Sequence, residues 1–260
     1  MTGAVLMMAI LFVPAIAAAG PWTLPKGKGQ VIVKYEDMRA DEGFDPSGLR
    51  LPLWAEQRDQ ALRSFTEYGL TDRLTLQLKA DWQEGEDAFS SYEGRGPIEV
   101  GATWQAWRTD RSAVSLYAGY ASNGDGRNAL YAEPGVGEDD VEVRVSAGRS
   151  FDGGFGWKGR GSPDRSFAEI QAAARSRDGL PDEVRIDATF GSHFGDRWMV
   201  LGQAFGGFAD GETGARWLSV ETTVVRHFGA WSVQAGWRQA VTGREAPVSR
   251  GPVLALWRRF

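Results

Sequence analysis

The sequence predicts an all-β protein, a transmembrane antiparallel up-and-down β-barrel of about twelve strands. Three observations predict this fold class. Apolar and polar residues alternate along most of the chain after residue 19. The alternating segments are about ten residues long, which is the length that crosses a bilayer at a tilt. The connectors between them are alternately short and long, as in barrels that span a membrane.

The first 19 residues have the pattern of a signal peptide. They carry no charge, and residues 4–13 form an apolar run that is too short for a spanning helix. Small residues at Ala17 and Ala19 predict cleavage before Gly20. No lysine or arginine precedes the run, which departs from the usual pattern, and a membrane-anchoring helix is the alternative. We expect a signal peptide at residues 1–19 and a single exported barrel domain at residues 20–260.

The composition excludes several classes of function. The 260 residues include no cysteine and two histidines, and the formal net charge is −5. Zero cysteine excludes disulfide scaffolds, thiolate zinc sites and cysteine nucleophiles. We expect no metal and no cofactor, since two histidines leave little room for an all-histidine metal site. A mildly acidic chain without a basic run also argues against nucleic acid as a partner.

Strand periodicity is clearest in three segments. Leu74, Leu76 and Leu78 alternate with polar residues, and the same pattern recurs at residues 141–147 and 184–190. Successive side chains on a strand point to opposite faces, so each segment has one apolar and one polar face. Further strands are predicted to begin near Gln30, Arg58, Ile98, Ser112, Phe167, Trp198, Trp217, Trp231 and Gly251.

The connectors predict which side of the membrane each end of the barrel faces. Residues 69–72 and 109–111 are short, whereas residues 39–57 and 84–97 are long. We expect the short turns to be periplasmic and the long loops external, because the exported chain enters from the periplasm. Residues 152–165 break the rhythm: a long connector stands where a short turn is expected. Either a strand is miscounted there or the turn folds back.

The C-terminal strand carries a family resemblance. A terminal Phe260 preceded by Leu254 and Leu256 at alternating positions resembles the assembly signal of Gram-negative outer-membrane β-barrel proteins, although Arg258 stands where that family usually has an aromatic or apolar residue. Residues 67–74 are similar to the periplasmic turn of transporter-like barrels, including the phenol-degradation (MetA-type) family. The resemblance implies the outer membrane as location, lipid and lipopolysaccharide as surroundings, and the barrel-assembly machinery as a partner of the last strand.

Tryptophan placement agrees with a membrane barrel. The apolar faces carry several tryptophans near strand ends, where amphipathic rings settle at a membrane interface; these are Trp82, Trp104, Trp198, Trp231 and Trp237. The alternative is a soluble periplasmic β-sandwich or propeller whose apolar face forms its core.

The polar face of a transmembrane barrel lines its lumen. The predicted lining residues, with acids and bases nearly balanced, are Lys34, Glu36, Arg63, Glu67, Arg73, Lys79, Asp81, Glu99, Glu142, Arg144, Glu169, Gln171, Arg175, Arg185, Asp187, Gln203, Glu221, Gln234, Arg238 and Arg259. Barrels of about eight strands are filled, and those of 16 to 18 strands hold a channel. We expect ion pairs across the lumen that leave a narrow, weakly selective pore or passive transporter for a small solute. An equally supported alternative is that the ion pairs only fill the interior and that the barrel acts through its external loops.

Catalysis has little support in the sequence, and we expect no enzyme and no catalytic residue. His193 shares a face with Asp187, and His227 with Glu221, but residues six apart on a strand are about 20 Å apart. Ser192 neighbours His193 yet points to the opposite face, so no nucleophile–base pair follows. We expect both histidines to cap strand ends at the interface. A barrel hydrolase is the remaining alternative.

Overall fold

The computed structural model describes residues 20–89, 91–124, 137–154, 161–211 and 214–260. The expected signal peptide therefore lies outside the described residues. Within the described ranges, no helix is long and apolar enough to cross a membrane.

The described residues form twelve long strands and one of two residues, so the all-β prediction is confirmed. The strands are β1 Gly29–Phe44, β2 Arg50–Thr71, β3 Leu74–Glu86, β4 Ser91–Arg108, β5 Ser112–Ser122, β6 Asp139–Asp152, β7 Arg165–Arg177, β8 Glu183–Phe194, β9 Trp198–Ala209, β10 Arg216–Phe228, β11 Trp231–Arg244, β12 Ala246–Pro247 and β13 Arg250–Arg259.

The long strands close into a barrel. They pair antiparallel in the order β1-β13-β11-β10-β9-β8-β7-β6-β5-β4-β3-β2, and β2 pairs back onto β1. The short β12 pairs with the end of β1, where Phe44 lies opposite Ala246. Because the sheet closes on itself, its long strands leave no unpaired edge. Directly opposed residues share a face, so the register fixes which side chains point into the lumen.

The apolar face points outward. Leu78, Val143 and Ile170 are half-exposed, and the five predicted tryptophans have between 42% and 51% of their surface exposed. A soluble sandwich or propeller would bury this face as its core, whereas lipid covers it in a membrane barrel. The outward apolar belt therefore excludes the soluble alternative.

At the end of the barrel opposite the chain termini, the strands of the hairpins are longer than the sequence predicts. Most of residues 39–57 is strand, and only residues 45–49 form the connector. The ladder continues from Ala40 opposite Gln57 to the ends of β1 and β2. Residues 84–97 are likewise mostly strand. Polar side chains signalled loops, but backbone hydrogen bonds alone carry a ladder, so pairing continues past the apolar belt.

An Asp turn closes the first of these hairpins. The Asp45 carboxylate accepts hydrogen bonds from the Ser47 hydroxyl (2.7 Å), the Ser47 amide (2.8 Å) and the Leu49 amide (2.9 Å). These bonds, the Ser47 hydroxyl first among them, hold the pKa of Asp45 below its usual range.

The connector at residues 152–165 joins two strands that are paired with each other. Asp152 lies directly opposite Arg165, so β6 and β7 are neighbours in the barrel. Residues 155–160, including Trp157, lie outside the described residues.

Candidate functional site: the barrel lumen

The two ends of the barrel differ in their connectors. The turn end carries the short connectors at residues 72–73, 109–111 and 229–230, together with Phe260. The loop end carries the opposite connectors, such as residues 45–49 and 178–182.

A first charge cluster lies on the wall formed by β10, β11, β13 and β1 to β3. Its members are Lys34, Glu36, Arg63, Asp81, Glu221 and Arg238. The buried Glu221 carboxylate binds Lys34 Nζ at 2.9 Å and an Arg238 guanidinium nitrogen at 2.8 Å. Glu36 binds the same two cations at 3.1 Å each, and Arg63 at 3.0 Å. Arg63 extends the cluster to Asp81 at 3.2 Å. Three cations and three carboxylates make this cluster formally neutral.

A second charge cluster covers the wall from β3 to β8. Its members are Lys79, Glu99, Glu142, Arg144, Arg175 and Arg185. The Glu142 carboxylate binds Arg144 and Arg175 at 2.6 Å each and also binds Arg185. Glu99 binds Lys79 at 2.6 Å and Arg175 at 2.5 Å. Four cations and two carboxylates give this cluster a formal charge of +2. Toward the loop end these six residues pair with Asp140 and Glu183, and Glu183 also pairs with Arg177, which brings the formal charge of the extended cluster to +1.

Tyr117 packs beneath the second cluster. It is buried on the lumen face of β5, and its hydroxyl donates a hydrogen bond to Glu99 at 2.7 Å. The Arg144 guanidinium lies over its ring, 4.4 Å from the centroid. Tyr117 therefore supports the cluster both as a donor and as a cation–π surface.

The ion pairs follow the wall of the barrel, although the sequence suggested that they cross the lumen. The pairs of both clusters join strands at most three positions apart among the twelve, as in Lys34 with Glu221 and Arg175 with Glu99. Strands about 4.8 Å apart and tilted by about 40° give a backbone diameter of roughly 24 Å. An arginine and a glutamate do not bridge that diameter, so they pair with partners along the wall.

A small cavity lies on the loop side of the first cluster. Its volume is about 40 Å³, which is room for about three water molecules. Its lining residues are Glu36, Met38, Asp59, Gln60, Ala61, Arg63, Gln83, Tyr92, Arg238, Pro247 and Ser249.

An apolar layer fills the lumen toward the turn end. Its members are Phe167, Met199, Leu201, Val225, Ala255 and Trp257, with Trp22 and Ile32 packed against them. Ile32 is on β1 and Phe167 on β7, which are six positions apart in a barrel of twelve strands. The layer therefore extends around half of the wall, from β1 through β13, β10 and β9 to β7.

Residues 20–28 complete that layer from inside the barrel, and we call them the N-terminal plug. The Gln105 amide donates to the Pro21 carbonyl at 2.9 Å, and the Thr23 hydroxyl donates to the Asp72 carbonyl at 2.8 Å. The Trp22 ring meets Phe167 edge-on, with centroids 6.3 Å apart. Polar bonds on one wall and aromatic packing on the other fix the plug.

Two wall glycines make room for the plug. A Cβ on Gly148 would come within 2.5 Å of the Trp22 ring and within 2.8 Å of Pro21. A Cβ on Gly69 would overlap the backbone carbonyls of Leu24 and Pro25. A larger residue at either position would push the plug out of place.

The other predicted lining residues are distributed more widely. Glu67 accepts a hydrogen bond from Gln77, and Glu169 accepts one from Gln171, both in the turn half of the lumen. In the same half, Gln203 donates to Thr189, and Gln234 joins Trp257 to Thr223. Asp187 lies on β8 opposite Gln171.

Two predicted arginines lie at the turn end. Arg259 contacts the Gly229 carbonyl at 3.2 Å. The prediction that Arg73 lines the lumen is wrong. Arg73 lies in the exposed turn between β2 and β3 and not on the barrel wall. Its position matches the polar alternation of β3, but the strand begins one residue later.

The two histidines come together inside the turn end. His193 and His227 stack with ring centroids 6.2 Å apart, although β8 and β10 are separated by β9. His227 Nδ1 lies 2.8 Å from the Ser232 hydroxyl. This serine–histidine pair differs from Ser192 and His193, which are neighbours in the sequence, and it was not predicted. Ser232 has 0% of its surface exposed, so a substrate does not reach it in this structure.

In the described part of the chain, no three histidine or carboxylate side chains are grouped so that they could hold a metal ion.

Sequence reasoning missed several residues of the lumen. Asp140 and Glu183 follow segments rich in glycine and acidic residues, a composition that is typical of loops. Tyr117 was detectable, because it shares the inward face with Ser115 and Gly119. Trp22 carried no signal, since nothing in residues 20–28 shows that they fold back into the barrel.

The C-terminal strand has its predicted side chains on the outside. Leu254, Leu256 and Phe260 are about half-exposed. The Phe260 backbone exchanges two hydrogen bonds of 2.9 Å with Gly29. Arg258 also points outward, with its guanidinium 5.1 Å from the Trp231 ring centroid. A cation–π contact with an interfacial tryptophan accounts for an arginine at this position.

Comparison with known proteins places the fold. No protein-family model and no curated protein matches the sequence. The chain is similar to the crystal structure of an outer-membrane channel from Pseudomonas putida F1, with a TM-score of 0.65 and 15% identity over 95% of this chain and 100% of that chain. The translocator domain of the autotransporter NalP from Neisseria meningitidis has a TM-score of 0.46 and 10% identity over 91% of this chain and 90% of that one. The monoaromatic hydrocarbon channel CymD has a TM-score of 0.43 and 9% identity over 91% and 89%.

The chain has the fold of an outer-membrane β-barrel. This follows from the closed antiparallel sheet, the outward apolar belt and the similarity to the Pseudomonas channel structure.

Proposed function

We propose that this barrel is a narrow outer-membrane pore, or passive transporter, for a small solute. The observation that carries the proposal is that the ion pairs follow the wall, which leaves the centre of the loop half unbridged by them. The similar Pseudomonas barrel is described as an outer membrane channel. Passage needs no reaction and no cofactor. The partly exposed Lys79 and Arg185 face one side of the path, and the partly exposed Lys34 and Arg63 face the other.

Weak charge selectivity follows from the two clusters. The first is formally neutral and the second carries +2, so an ion in the lumen meets both signs within a few ångströms. A strongly selective pore would show one sign in excess. We propose that small polar solutes of either charge pass. The positive charge of the second cluster gives a mild preference for anions.

The membrane surroundings form part of the same proposal. Lipid and lipopolysaccharide cover the outward apolar belt, and the signal peptide at residues 1–19 directs export. The outward Leu254, Leu256 and Phe260 present the last strand to the barrel-assembly machinery.

A second candidate function has an observation of its own. The apolar layer covers one half of the lumen wall at the turn end, and the N-terminal plug contacts the other half. If the plug never moves, the barrel is closed and works through its external loops.

A liposome-swelling assay tests the pore against this alternative. The chain comprising residues 20–260 is refolded into liposomes, which are diluted into solutes of increasing size, from glycine to disaccharides. We expect swelling with the smallest solutes that falls off steeply with size. Liposomes that stay as tight as protein-free ones, while the folded barrel resists protease, would refute the pore and favour the closed barrel.

A further inference from the structure

The buried carboxylate of Glu169 lies beside the first residue of the N-terminal plug. A Cβ built on Gly20 would overlap Oε2 of Glu169. The α-nitrogen and a Cβ are both bonded to Cα and lie about 2.5 Å apart, so the α-nitrogen of Gly20 lies within about 5 Å of the same carboxylate oxygen. Gly20 is itself buried, and Glu169 has 9% of its surface exposed.

Glu169 differs from the carboxylates of the two charge clusters. Each of those carboxylates is bound by at least one lysine or arginine. Within the described ranges, Glu169 accepts one hydrogen bond, from Gln171 Nε2 at 2.8 Å, and forms no ion pair. A buried carboxylate without a cation is costly, so the second oxygen of Glu169 is suited to a positively charged donor.

We propose that Glu169 is the binding site for the amino terminus that export creates. Water hydrolyses the Ala19–Gly20 peptide bond, leaving a carboxylate on Ala19 and an ammonium group on Gly20. That ammonium pairs with Glu169 inside the lumen. The inference rests on the proposed export, since it requires cleavage before Gly20.

Cleavage changes what position 20 offers to Glu169. In the uncleaved chain the nitrogen is a neutral amide with one proton, whereas the processed chain carries a positive charge and three donors. Phe167 lies two residues along the same strand and packs against Trp22. The ion pair and the aromatic contact therefore anchor the plug to β7 together, and the turn end closes most firmly in the processed protein.

A two-by-two comparison tests the ion pair. The chain comprising residues 20–260 is refolded with a free amino terminus or acetylated at the α-amino group alone, each with and without Glu169→Gln. Hydrogen exchange of the peptide covering residues 20–28 is followed by mass spectrometry. We expect acetylation to speed exchange at least about tenfold in the Glu169 chain and to add nothing in the Glu169→Gln chain. Glu183→Gln removes a buried carboxylate at the loop end, and acetylation should retain its full effect there.

Three outcomes would overturn the proposal. Exchange that is unchanged by acetylation would show that the ammonium is unbound. An acetylation effect that persists in Glu169→Gln would show that another group binds it. A mass that places the amino terminus of the membrane-derived protein elsewhere than Gly20 would remove the ligand. Liposome swelling on the same samples separates this proposal from the pore: swelling without coupling refutes the ion pair alone, and coupling without swelling refutes the pore alone.

Discussion

Replacement of Glu142 by glutamine tests the second charge cluster most severely. The Glu142 side chain has 2% of its surface exposed and binds three guanidinium groups. Glu142→Gln keeps the shape and one acceptor but raises the formal charge of the cluster from +2 to +3. Removing one partner of a buried ion pair costs about 3–5 kcal/mol. We expect the lower end, about 3 kcal/mol, because the glutamine oxygen still accepts a bond and Arg185 is 28% exposed.

Two assays read the consequences. Urea unfolding in lipid, followed by tryptophan fluorescence, gives the change in the free energy of unfolding. The reversal potential across a bilayer under a KCl gradient gives the change in selectivity, which we expect to shift toward chloride. Glu221→Gln is the matched control, because it neutralises an equally buried glutamate and changes the cluster charge by the same one unit, from zero to +1.

Either assay can contradict this reasoning. A loss of stability below about 1 kcal/mol would show that the Glu142 charge does not hold the three guanidinium groups. A reversal potential identical to that of the unaltered protein would show that ions do not pass this cluster.

Three further substitutions are expected to act locally. Gly148→Val should displace Trp22 and speed hydrogen exchange across residues 20–28; unchanged exchange would show that the plug does not rest on this wall. Tyr117→Phe removes the donor to Glu99 and should cost about 1.5–3 kcal/mol in urea unfolding, and a loss near zero would contradict that bond. Phe260→Ala should reduce assembly in cells while leaving refolding in liposomes nearly unchanged; equal assembly in cells would argue against an assembly signal.

The barrel was predictable because its pattern is local. Alternation at residues 74–82 and 141–147 assigns faces from the sequence alone, since the side-chain period of a strand is two. The same alternation placed Glu142, Arg144 and Arg175 on the polar side. These predictions needed no knowledge of which strands meet.

The arrangement of side chains inside the barrel was not predictable, because it depends on contacts between residues far apart in the sequence. Arg175 reaches Glu99 three strands away, and His193 stacks on His227 across β9, so both contacts depend on closure and stagger. The plug depends on a chain reversal before β1 that has no pattern. The predicted loop boundaries were wrong where polar residues continue a paired strand, as at residues 39–44.

Single-channel recording shows whether the lumen conducts and whether the N-terminal plug closes it. The chain comprising residues 20–260 and its Trp22→Ala variant are inserted into the same kind of planar bilayer, and current steps are compared. A narrow pore closed by the plug predicts small, discrete and infrequent steps for the unaltered chain, and longer openings for the variant that lacks the ring packed on Phe167. Silence from both folded barrels would contradict a conducting lumen. Equally long openings in both would contradict the plug as the closure.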